Sequence, residues 1–210
     1  MASISETSFP SDYRSARKAF IAACIRAPAD SIARVHPAVS GPRGNPLFLD
    51  SVALGPRDAG KALLLVAGGD GTEGGMGAGL LSGLLDTGIR PKRDARLVMV
   101  PALNPYGLAF GRKENESGID LDAAGAARSW SFAMLRDILT EDMAHVTKLR
   151  VLELAQGSPS RLEDRSAGML ARTLAQARPA SDIRVARLFL APGRALAESR
   201  AVVTRALAEL

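Results

Sequence analysis

The chain of 210 residues has a single cysteine, Cys24, which excludes an intramolecular disulfide and a cysteine-rich zinc knuckle and suggests a reducing compartment. Aromatic residues are also scarce, at 4% with one tryptophan, too few for the stacking platforms of single-strand nucleic-acid binders. No stretch reaches 18 consecutive apolar residues, and the opening MASISETSFPSDY has neither a basic n-region nor an apolar h-region. Neither a membrane span nor a signal peptide is expected, and the expected location is cytoplasmic. Neither sign of charge dominates: 27 Lys and Arg against 22 Asp and Glu leave +5, mostly as scattered arginine, so no nucleic-acid partner is indicated. What the chain does have is apolar material, 47% of its residues. That is enough for a core, excludes disorder as the main state, and at roughly 150 residues per domain gives one domain over 1–210.

Apolar periodicity at Tyr13, Ala16, Phe20 and Ala23 predicts a helix entered from Ser11 as N-cap and ended before Pro28. A Pro/Gly-rich connection from His36-Pro37 to Gly44-Asn45-Pro46 follows, then a strand over 47–54 closed by Gly55-Pro56. The most telling unit is the apolar run 62–67, the turn GGDGTEGG, a helix carrying Leu80, Leu81, Leu84 and Leu85 with Gly88 as its stop, and a second run 97–100. It reads as a parallel strand-helix-strand crossover. Farther on, 132–146 reads as a helix and 149–154 as a third parallel strand. After Ser158 the composition turns to Ala, Arg and Leu, with a helix near 169–177, a short strand near 185–190, and a closing helix with Leu196, Val203, Leu207 and Leu210 on one stripe. In an α/β sheet ligands gather beyond the carboxyl ends of the strands. The loops 68–75, 101–107 and 155–157 are therefore where a site belongs.

The string Gly68-Gly69-Asp70-Gly71-Thr72 after an apolar strand resembles the GGDGT motif of the diacylglycerol kinase and NAD kinase families, which implies nucleotide phosphate held on glycine amides. The later motifs of those kinases are not found. A resemblance over more of the chain is carried, in order, by FPSDYRSARKAFIAA, HPAVSGPRG, LDSVALGP, GGDGTEGGMGAG, ALNPYGLAFGRKENESGIDLD and WSFAMLRDILTEDMAHVTKLRVLELAQG. Together these segments, over 9–157, resemble the bacterial branch of the zinc carboxypeptidase family that is catalogued as a domain of unknown function. The most specific of them is NPYGLAFGRKENESGIDL. The resemblance implies an α/β fold, a mostly parallel sheet with helices on both faces, here reduced in length and with a divergent, helical C-terminal part over 158–210.

In that family the glycine turn supplies two zinc ligands as H-x-x-E, and a histidine after a later strand supplies the third, leaving one position open for the attacking water. Residue by residue, Glu73 keeps its identity, Asp70 stands at the first histidine and Ala155 at the second. The family's Asn-Arg after Val-Asp-Leu, whose guanidinium clamps the substrate carboxylate, is Asp122-Ala123 here. Arg112, with Lys113 as the close alternative, falls near the arginine that polarises the substrate carbonyl, and Asn104 shapes the floor of the site. After Gly157 no strand carrying the general-base glutamate is evident; Glu163 and Glu198 lie in solvated contexts, and neither His36 nor His145 reads as a replacement ligand. The sequence thus predicts a catalytically inactive pseudo-carboxypeptidase that keeps a pocket for a small molecule or peptide terminus, with no cofactor expected. Two alternatives stand beside it. One is an atypical metal-dependent hydrolase using Asp70 and Glu73, with zinc as its cofactor; the other is the phosphate-binding, kinase-like reading of GGDGT. Cys24 reads as a small core residue and Trp130 as an anchor for the helix after it.

Overall fold

The computed structural model describes residues 9–27, 29–73, 75–157, 160–165, 168–191 and 195–210; MASISETS, Pro28, Gly74 and Ser158 lie outside the described residues. The apolar runs form β3 (Lys61–Ala67) and β4 (Ala95–Val100), joined through α2 (Met76–Asp86), and β5 (Lys148–Gln156) lies on the other side of β3. All three are parallel neighbours as expected, with Leu63 opposite both Leu97 and Arg150. β7 (Asp182–Leu190) extends the parallel centre beside β5. Around it the strands run antiparallel: β2 (Pro46–Leu54) on β4, β1 (Asp30–Ser40) on β2, and β6 (Arg161–Asp164) on β7. The sheet therefore has seven strands in the order β1-β2-β4-β3-β5-β7-β6.

Central strands are apolar on both faces because helices cover both. On one face Leu63, Leu65, Leu97, Met99 and Leu152 pack against Phe20 of α1 (Tyr13–Arg26), Leu80 and Leu84 of α2, and Val203 and Leu207 of α6 (Ala195–Ala208). On the other, Leu64, Val66, Val98, Val100 and Val151 meet Phe132, Leu135 and Leu139 of α4 (Trp130–Asp142) and Leu170 and Leu174 of α5 (Met169–Ala177). Cys24 lies within the first of these clusters, and burial pushes its thiol up to about 12. Arg96, wholly buried, donates to the Gly55 carbonyl at 2.7 Å and to Asp142 at 3.3 Å, tying β4 to the end of α4. No helix among the described residues is long and apolar enough to cross a membrane.

Four local expectations are corrected. The first part of the Pro/Gly-rich connection, 36–40, is the end of β1, an exposed edge strand whose register shifts between Val35 and Ser40, the interval that holds Pro37, and only 41–45 form a turn. Proline and polar residues are tolerated there because one side of an edge strand needs no ladder. Asp12, not Ser11, caps α1, its carboxylate accepting the Ser15 N–H at 2.9 Å. α4 starts earlier and stops earlier than 132–146, because Ser129 caps it and the chain turns at Met143. The segment after 157, expected to be helical around one strand, supplies two strands, β6 and β7, with α5 and α6.

Candidate functional site

At the carboxyl ends of β3, β5 and β7 lies a cavity of about 270 Å³. Its walls hold Asp70, Glu73, Lys113, Asp122, Ala155 and Arg187. The turn after β3 reaches this point because Gly71 packs backbone to backbone on the helix at 105–110 and the residues after it: a Cβ there would clash with the Gly107 carbonyl and the Arg112 carbonyl oxygen. Asp70 accepts the Thr72 N–H at 2.9 Å and its hydroxyl at 2.6 Å. The Glu73 N–H bonds the Asp70 carbonyl, and the Gly75 N–H bonds that of Pro10. The turn's amides at 72, 73 and 75 are therefore spent on the chain's own oxygens rather than turned toward a phosphate.

Glu73 sits in a single 3-10 turn, Gly71–Glu73, and reaches across to β5, where its carboxylate accepts the Gln156 N–H at 3.1 Å. Burial pushes its carboxyl up to about 7, the nearby Asp70 and Glu153 adding to the rise while the Gln156 bond and Arg187 oppose it. Ala155 brings only a methyl group to the same cavity. Three of the residues singled out in the sequence, Asp70, Glu73 and Ala155, thus line one cavity.

The residues assigned to ligand contact part company. Lys113 lines the cavity and pairs with Asp120 at 2.7 Å, and that hydrogen bond holds its ammonium above the ordinary lysine range. Arg112 is exposed and is not among the lining residues. Asn104 is fully buried and does not line the cavity; it caps α3 (Pro105–Phe110) by accepting the Gly107 N–H at 2.8 Å and ties two lining residues, donating to the Lys113 carbonyl at 3.0 Å and the Gly69 carbonyl at 3.4 Å. It fastens the floor.

The dominant charge in the cavity is one the sequence did not flag. Arg187 of β7 makes two hydrogen bonds to Asp122, at 2.7 and 2.8 Å, and two to Glu153, at 3.0 and 3.3 Å. Burial disfavours its charge, but the bonds to Asp122 and Glu153 outweigh that and hold its proton more tightly than in a free arginine. The same bond from Arg187 keeps Asp122 below the usual carboxylate range. Glu153 and Arg187 are register partners on adjacent parallel strands. Strand alternation was the available signal: Val185 faces the α4/α5 side, so Arg187 and Phe189 follow it on that side toward the cavity. Glu163 pairs with Arg161 on β6 and Glu198 accepts the Ser160 hydroxyl; neither lines the cavity. His36 lies not in a loop but buried on β1, its ring tilted at 48° against Trp130 with centroids 4.4 Å apart, and His145 is exposed beyond α4. Among the described residues no group of three or more His, Cys, Asp or Glu side chains is arranged to hold a metal ion.

Residues 9–123, more than half of the chain, match the family model described as "Protein of unknown function (DUF2817)". The chain belongs to the DUF2817 family. No curated protein matches this DUF2817 chain in sequence. Among solved structures it is similar to a candidate metallopeptidase from Shewanella baltica OS155, with a TM-score of 0.62 and 14% identity over 94% of this chain and 92% of that one. A candidate metallopeptidase from Shewanella amazonensis SB2B gives 0.60 and 14% over 92% of each chain. Another, from Shewanella denitrificans OS217, gives 0.54 and 14% over 78% of this chain, which spans 65% of the length of that protein. At this identity the likeness is one of fold: the DUF2817 chain has the α/β architecture of these proteins.

Proposed function

We propose that this DUF2817 member is a pseudo-carboxypeptidase, a single domain over 1–210 that binds a small molecule or peptide terminus in its cavity without hydrolysing it. The observation that carries this reading is the meeting of Asp70, Glu73 and Ala155 in one cavity. A catalytic zinc of the expected kind needs three protein donors and an open position. These positions offer two carboxylates and a methyl, and Asp70 is already bonded twice to Thr72. The donor set does not fit.

Proton transfer is the second support. β7 is the strand after Gly157 that reaches the cavity, and it lines it with Arg187 and Phe189, neither of which can take a proton from water at neutral pH. A ligand would meet Lys113 and the Arg187–Asp122 pair, with Asn104 holding the floor and Arg112 outside. The reducing compartment suggested by Cys24 favours the cytoplasm. The test is turnover of C-terminally diverse peptides by the purified chain with added zinc. No turnover is expected; turnover abolished by a chelator would overturn the proposal.

One observation favours the atypical metal-dependent hydrolase: the two carboxylates it would use, Asp70 and Glu73, line the same cavity. Under that reading Glu73→Gln abolishes a measurable hydrolysis. Under the favoured reading there is no hydrolysis to abolish.

A further inference from the structure

A second, larger cleft lies away from the cavity, between α1 and the chain from Gly41 to Phe48, with a volume of about 890 Å³. That is at the upper end of the range for pockets that enclose small ligands. Along α1 its wall changes character: Arg14 and Lys18 line the N-terminal part, Ile21, Ala22 and Ile25 the C-terminal part. At a rise of 1.5 Å per residue, the charged and apolar ends are about 10 Å apart. Arg43 comes from the other wall, where Leu47, Phe48 and Ala109 supply further apolar surface.

The polar groups of this cleft divide into spent and unspent. Arg17 is held by Asp50 at 2.8 Å and covers the Phe48 ring at 3.8 Å. The Tyr13 hydroxyl donates to the Phe48 carbonyl and accepts its N–H, and burial pushes its phenol up to about 12. Asp12 is occupied in capping α1 through Ser15. Arg14, Lys18 and Arg43, by contrast, are exposed and have no carboxylate within ion-pair distance among the described residues. Ile25, 80% exposed, is the most exposed large hydrophobic side chain among them. Arg14 and Lys18 at one end of an apolar trough, with Arg43 on the facing wall, complement a ligand with one anionic head and one apolar tail.

We propose that this cleft binds a free single-chain anionic amphiphile, a long-chain carboxylate, with its head between Arg14, Lys18 and Arg43 and its tail along Ile21, Ala22 and Ile25. Tail burial supplies affinity and the cations select the head. Each methylene taken out of water is worth about a fourfold gain in affinity, so a tail fitted to the apolar wall shows a steep chain-length dependence. Dodecanol, with the same tail and no charge, loses the head-group contribution.

The experiment is calorimetric titration of the full chain with sodium octanoate, decanoate and dodecanoate, each below its micellar concentration, with dodecanol and dodecylamine as controls. Expected are binding that tightens from octanoate to dodecanoate, weaker binding of dodecanol and weakest of dodecylamine. In the Arg14→Glu/Lys18→Glu variant, whose changes are on exposed positions, dodecanoate affinity falls by about tenfold or more. No chain-length dependence, equal binding of dodecylamine, or no binding of dodecanoate would overturn the proposal. So would association only with vesicles of anionic phospholipid, which would make the face a membrane contact. The chain-length and head-group series needs no variant, so it decides even if the double variant does not fold.

Discussion

Replacing Glu73 with glutamine removes a carboxyl that folding pushes from an ordinary 4.5 to about 7 while keeping an acceptor for the Gln156 N–H. A raised carboxyl binds its proton more tightly in the folded than in the unfolded chain. Its contribution to stability is therefore full at low pH and is lost as the pH rises from the unfolded value near 4.5 through the folded value near 7. One pKa unit corresponds to about 1.4 kcal/mol, so the full cost of ionising Glu73 in place is about 3 kcal/mol. Water at the cavity mouth screens it to about 1–2 kcal/mol. Glu73→Gln escapes this cost, so in urea unfolding at pH 8 the variant is more stable than the parent by about 1–2 kcal/mol, and the advantage disappears by pH 5. Parent and variant share every other titrating group, so the difference between their pH profiles isolates this one. An equal destabilisation at both pH values would show that Glu73 ionises freely or is held by favourable contacts, and the reasoning would fail.

Three further outcomes follow from the packing and the site. Asp142→Ala strands the buried Arg96 guanidinium and lowers stability by about 3–5 kcal/mol in denaturant titration; a loss below 1 kcal/mol would mean the Gly55 carbonyl satisfies Arg96 alone. Asn104→Ala removes the α3 cap and the tie to the Lys113 carbonyl, costing about 2–3 kcal/mol by the same measurement, and an unchanged midpoint would contradict the floor-fastening role. The triple change Asp70→His, Ala155→His and Ala123→Arg raises zinc affinity by orders of magnitude in a competition titration. Peptide turnover stays low for want of a general base, so efficient turnover by the triple variant would show that one is present after all.

The parallel centre was legible because its cause is local. Strands covered on both faces must be apolar throughout, as 62–67 and 97–100 are, and a helix stop such as Gly88, with φ +72°, is written as glycine. The edges were not. β1 is exposed along most of its length and interrupted near Pro37, and β6 has four residues, so neither carries an alternation that tertiary burial would impose. The site divided the same way. Asp70 and Glu73 follow the end of β3, position 155 lies in the last residues of β5 rather than in the loop expected at 155–157, and all three were named from the resemblance. Arg187 stands in DIRVARLFL with another arginine three residues before it; alternation from Val185 separates the two, but only the pairing of β7 with β5 sets Arg187 beside Glu153. Asp122 was recognised as the carboxylate left where Asp122-Ala123 replaces the family's Asn-Arg, but its partner comes from a strand 65 residues later in the chain.

The measurement that bears most directly on the proposed loss of the zinc site is equilibrium dialysis of the purified chain against zinc followed by elemental analysis. With two carboxylates and a methyl at the three ligand positions, zinc is retained well below one ion per chain. Retention of about one zinc per chain, lost in Glu73→Ala, would contradict it.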